Sequence, residues 1–100
     1  MISIDEYVTD VLMRDLVGHD KRPVSFLVYL WLAVEGQRRG CEIQISYQEL
    51  AETIGVSKSS AQSAVGWLVR RRLLKASKAN ATAVPCYEVL SPWRARGVKL

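Results

Sequence analysis

The stretch SYQELAETIGVSKSSAQSAVGWLVRRRLL, Ser46 to Leu74, limits the possible folds more than any other part of the chain. It predicts two helices joined by a tight turn, with the second presented outward. Ser46 stands three residues before Glu49, the spacing at which each side chain satisfies the other's orphan backbone N–H at a helix start. Ile45 and Leu50 are placed as the matching hydrophobic staple, and Leu50, Ala51 and Ile54 give the first helix an apolar side. Gly55 supplies a residue able to take a positive φ and end that helix. Ser57 then caps the next one, which runs to about Arg71. Its buried side is Ala61, Ala64, Val65 and Leu68, spaced i, i+3, i+4, i+7.

The opposite stripe of this second helix carries the functional signal. Ser59, Gln62, Ser63, Gly66 and Arg70 follow one another at helical spacing, with Lys58 at the start and no acidic residue among them. A helix that enters the major groove of DNA needs short residues for close approach, an amide or cation to read base edges, and no carboxylate near phosphates. An ordinary solvated face usually mixes Glu with Lys. The base-edge candidates are therefore Lys58, Ser59, Gln62 and Ser63.

Leu50-Ala51, Ile54-Gly55-Val56-Ser57, Ala64-Val65, Leu68 and Leu73-Leu74 resemble the winged helix-turn-helix of bacterial regulators of the GntR and MarR types, and the related domains of plasmid and phage replication initiators. The resemblance covers about thirty residues, and a presumed wing extends it toward Leu90. It implies a mainly α fold with a small antiparallel β-wing, here with an extra N-terminal helix. It also implies double-stranded DNA as partner and a homodimer as the working form. Arg72 stands where these families usually have glycine, which predicts a less sharp turn after the second helix. Gln62-Ser63 replaces the arginine common in the GntR pattern, so that family's base contact is not carried over.

Charge runs in the same direction. The net charge is +4, but residues 1–56 hold five Lys/Arg against nine Asp/Glu, and residues 57–100 hold nine against one. A balance of −4 in the first part and +8 in the second predicts one face for a polyanion and another for something else. One hundred residues make a single domain, 1–100, with no room for a catalytic or effector domain beside it. An apolar share of 49% predicts that part of the apolar surface is hidden by a partner chain. Cys41 and Cys86 match no zinc or redox spacing and read as reduced thiols, and no signal peptide is evident, so the expected location is cytoplasmic.

Residues 3–17 read as an amphipathic helix with Ile4, Tyr7, Val8, Val11, Leu12 and Leu16 on one stripe. Ile4, Tyr7, Val8, Val11 and Leu12, with Trp31, are the candidates for a dimer interface. Gly18 to Pro23 reads as a linker containing a solvated His19, and Asp20 as a cap for the helix that follows. That helix, VSFLVYLWLAV from Val24 to Val34, is too short to span a bilayer and is expected to be buried, with a ligand pocket among its aromatics the weaker alternative. Glu35 to Gly40 reads as a polar loop and Cys41 to Ile45 as a short strand. Leu73 to Ser77 and Val84 to Leu90 form the expected hairpin, with Pro85 confining its strand to an edge or marking a bulge. With 23–90 as the winged core, residues 91–100 make a basic tail, Arg94, Arg96 and Lys99, behind an anchoring Trp93. The phosphate and wing candidates are Ser57, Arg70, Arg71, Lys75, Lys78 and Asn80. Trp67 is expected to lie partly buried against the wing or a neighbouring subunit.

Enzyme chemistry finds no foothold: one histidine, no paired carboxylates near a nucleophile, no glycine-rich phosphate loop and no metal-ligand cluster. No cofactor, metal or small-molecule effector is expected. Three readings remain. They are a sequence-specific, homodimeric transcriptional regulator; a DNA-binding domain serving replication or plasmid maintenance; and a winged helix turned to protein–protein interaction through its aromatic helix.

Overall fold

Pro23 occupies the first position of α1 (Pro23–Arg39), where its missing N–H costs nothing. The computed structural model describes residues 2–40, 42–80 and 82–95. Within them α1 is the central post: it packs on the N-terminal helix, on α2 (Tyr47–Ile54) and α3 (Lys58–Arg70), and on the sheet. Ser25, Phe26, Val28, Tyr29 and Leu32 are its buried residues. The helix continues through the segment expected to be a loop. Glu35 accepts from Arg38 at 3.2 Å and Arg39 at 3.1 Å, one turn away, and the two cations also suit the negative end of the helix dipole. Gly40, at φ 68°, then ends it.

The N-terminal helix winds largely as π-helix, Val8–Leu12 and Arg14–His19. Val8, Leu12 and Leu16 fall every fourth residue, a repeat that drifts about 40° per step on an α-helix of 3.6 residues per turn. All three are buried in the chain's own core, Val8 at 4% and Leu12 at 3% exposure. This corrects the assignment of Val8 and Leu12 to a dimer interface: their apolar surface is already covered within one chain. Ile4, Tyr7 and Trp31 are half-buried against the same core, and Val11 is half-buried. Tyr7 stacks on Trp93 at 4.3 Å, and the Trp93 indole donates to Asp5 at 3.1 Å, so the anchoring role expected of Trp93 is met by the first helix. Gly18 and His19 belong to the helix, and the turn is made at Lys21, φ 56°.

Three short strands, β1 (Ile43–Gln44), β2 (Leu74–Ser77) and β3 (Cys86–Val89), form an antiparallel sheet in the order β1-β3-β2. Tyr87 lies opposite both Ile43 and Ala76, and its ring is fully buried with Ile43 and Leu74. Because β3 is central, Pro85 is not an edge residue. It stands just ahead of the strand, and its carbonyl accepts from Ile45 N–H at 3.2 Å. Tyr29 fastens α1 to the end of β3 through its hydroxyl, which donates to the Leu90 carbonyl at 2.9 Å. Cys86 carries a free thiol, while Cys41 lies outside the described residues.

The two helices of the opening stretch are terminated as their residues dictate. The reciprocal Ser46–Glu49 cap is present, and Gly55, at φ 93°, closes α2. At the end of α3, Leu73 N–H bonds the Leu68 carbonyl and Arg72 N–H bonds the Val69 carbonyl, the paired bonds of a Schellman ending. Arg72 takes φ 59° to allow it. The turn is therefore as tight as a glycine would make it, against the expectation, and an L-residue bears the cost.

Candidate nucleic-acid interface

α3 starts at Ser57, whose hydroxyl accepts from Ser60 N–H at 3.1 Å and lies 3.2 Å from the Ser59 hydroxyl. The sequence candidate Ser57 is thus a helix cap first. Ala61, Ala64, Val65 and Leu68 are buried, as their spacing required, and Ser25 donates to the Ala64 carbonyl at 3.4 Å where α1 and α3 meet. Small residues at this crossing let the two backbones come close. The side turned away from the core holds Lys58, Ser59, Gln62, Ser63, Gly66 and Arg70, all exposed. A methyl group placed on Gly66 would meet no atom within 4 Å, so neither packing nor φ demands a glycine there.

Besides Ser57, two further phosphate candidates are engaged within the chain. Arg71 is half-buried and ion-paired with Asp20, so its charge is committed within the chain. Asn80 accepts from Thr82 N–H at 3.0 Å and the Thr82 hydroxyl at 2.9 Å, which makes it the organiser of the hairpin tip. Lys75 and Lys78 are exposed, and Lys75 lies directly across the ladder from Glu88, the one acid of the basic half. The backbone of Arg94 is helical, in α4 (Pro92–Ala95), while Arg96 and Lys99 lie outside the described residues.

The turn before α1 holds contacts that no local sequence pattern marks. Asp20 does not cap that helix, whose N-cap is Arg22 without a side-chain bond. Its carboxylate instead accepts from the Trp67 indole at 3.0 Å and from Arg71, and lies 2.9 Å from His19. Burial by itself would raise the Asp20 pKa; the hydrogen bonds from His19 and Trp67 and the charge of Arg71 outweigh it and hold the group below its ordinary 3.8. Arg22 lies over the Trp67 ring at 4.4 Å and donates to Ser63 at 3.2 Å, and Arg70 approaches the same ring at 6.0 Å. Trp67 is therefore covered on one side by the Asp20–Arg22 turn. Its place one turn after Ser63, on a helix otherwise small and polar on that side, was the available signal.

The outward side of α3 can accept a polyanion at close range: it offers hydroxyls, one amide and cations, with the exposed Val69 on the same side as Gln62 and no carboxylate. Among the described residues no group of three or more His, Cys, Asp or Glu is placed to hold a metal, and no helix is long and apolar enough to cross a membrane. No protein-family model, curated protein or solved structure matches this chain.

Proposed function

We propose that the chain is a winged helix-turn-helix domain that binds double-stranded DNA sequence-specifically, as a homodimeric transcriptional regulator. The observation that carries this reading is the acid-free, exposed side of α3, which includes Gln62 and whose opposite side is locked into the core. Lys58, Ser59 and Gln62 face base edges; Ser63 is shared between the groove and Arg22. Arg70, Lys75 and Lys78 reach phosphates, while Arg71 supports the helix end from within. The strand order and the hairpin following α3 suit a wing. Support for a second copy is narrower than the sequence implied. It rests on exposed Met13, Val17 and Leu27, and not on Val8 or Leu12. A role in replication or plasmid maintenance would use the same contacts. An interaction surface built on the aromatic helix is disfavoured, because Phe26 and Tyr29 are buried in the core.

Selection of bound duplexes from a random pool at physiological salt tests the reading. An enriched motif is expected, palindromic if the dimer is symmetric. Gln62→Ala should relax discrimination at one or two positions by about 1–3 kcal/mol. Retention without any preference would refute sequence-specific binding.

A further inference from the structure

We propose that the cleft between the Asp20–Ser25 turn and the first turns of α3 is a phosphate-binding site, in which Arg22 and Lys21 grip a backbone phosphate of a duplex docked on α3. The inference rests on the DNA reading above and adds a contact that lies outside both the helix pair and the hairpin. The cleft measures about 550 Å³ and is bordered by Lys21, Arg22, Ser59, Ser60 and Ser63. Ser59 and Ser63 belong also to the outward side of α3, so a phosphate flanking the groove that α3 enters would lie at the cleft mouth.

Arg22 is held ready on every side. Its N–H donates to the Leu16 carbonyl at 2.7 Å, and its own carbonyl accepts from Ser25 at 3.1 Å and Phe26 at 3.4 Å. The guanidinium face rests on Trp67 at 4.4 Å and one N–H goes to Ser63 at 3.2 Å. A guanidinium carries five N–H donors in a planar fork, a shape that matches phosphate oxygens. Lys21 is exposed beside it, its backbone turned by φ 56°. Asp20 also borders the cleft, but its side chain is only 4% exposed and both oxygens are engaged, by His19 on one and by Trp67 and Arg71 on the other. α1 and α3 both begin at this cleft without an acidic residue in the first turn, which adds two positive helix ends to the two cations.

The test uses the full chain and a mixed-sequence duplex a few helical turns long, with affinity measured across a salt series. Lys21→Asn removes the charge while keeping a residue that tolerates the left-handed turn. Combined with Arg22→Gln, it should make the dependence of log affinity on log salt shallower by about 0.9 for each phosphate no longer neutralised, equally for all sequences. Arg22→Lys, which keeps the charge without the planar stack, should fall between. If the double variant is poorly folded by its thermal melt, Lys21→Asn alone carries the comparison. A double variant with the parent's slope, while Gln62→Ala still relaxes specificity, overturns the cleft and leaves the DNA reading standing. A parent with no salt-dependent duplex binding overturns both.

Discussion

Gly66→Ala separates what α3 needs to be a helix from what it needs to meet a duplex. Glycine in a helix interior costs roughly 0.5–1 kcal/mol relative to alanine, because the unfolded chain loses more freedom. At Gly66 the added methyl would enter open space, within a regular helical turn. The variant should therefore be more stable by about that amount. A domain of this size gains roughly 4–8 °C in Tm per kcal/mol, so scanning calorimetry should show a rise of about 2–8 °C. The same methyl stands one turn beyond Gln62, on the side meant to lie against base edges, and it holds the backbone away from them. Duplex affinity, followed by fluorescence anisotropy, should fall about tenfold, equivalent to ~1.4 kcal/mol. A variant that gains stability and binds as tightly as the parent would refute the idea that Gly66 marks a place of close approach. A loss of stability would mean that the site is not open.

Other perturbations probe the scaffold. Arg72→Gly should stabilise the chain by roughly 1 kcal/mol in urea unfolding, because the φ of 59° that ends α3 no longer has to be adopted by an L-residue. Asp20→Asn should flatten the acid limb of the stability profile. The folded pKa lies below 3.8, so the carboxylate's contribution is present above that value and is lost as pH falls through the folded pKa. Tyr87→Phe should be neutral or mildly stabilising, since the buried Tyr87 hydroxyl has only a loose contact with Tyr47 and no well-formed hydrogen bond among the described residues. Burial, with Tyr47 beside it, also raises the Tyr87 pKa, so in the parent the neutral phenol's contribution holds below pH 10 and is lost as pH rises through the folded value, a dependence that Tyr87→Phe should remove on the alkaline limb.

Where a local rule was sufficient, the sequence was enough. The Ser46–Glu49 cap, the Gly55 ending, the Ser57 cap and the buried stripe of α3 all depend on neighbours within a few residues, and each is found where the spacing put it. Glu35 to Gly40 looks like a loop because it holds two glycines and two arginines, although Glu35 pairs with both arginines to finish the helix. Longer-range choices were not legible. Nothing in the stripe of Val8 and Leu12 distinguishes a partner's core from the chain's own, and only packing decides it. Asp20 reads as a helix cap and Arg22 as a linker residue because their partners, Trp67, Arg71 and Ser63, lie more than forty positions away. Arg71 looked free for the same reason. The outward side of α3 was legible because exposure follows from helical period once the core side is known.

The central claim is that the acid-free side of α3 docks on a duplex. Its most direct test is the set of backbone amide shifts on titration with the selected duplex. The account predicts that the largest changes fall on Lys58, Ser59, Gln62, Ser63 and Gly66, with Lys75 and Lys78 following and the N-terminal helix unmoved. Changes confined to the N-terminal helix and the sheet, with α3 silent, would contradict it.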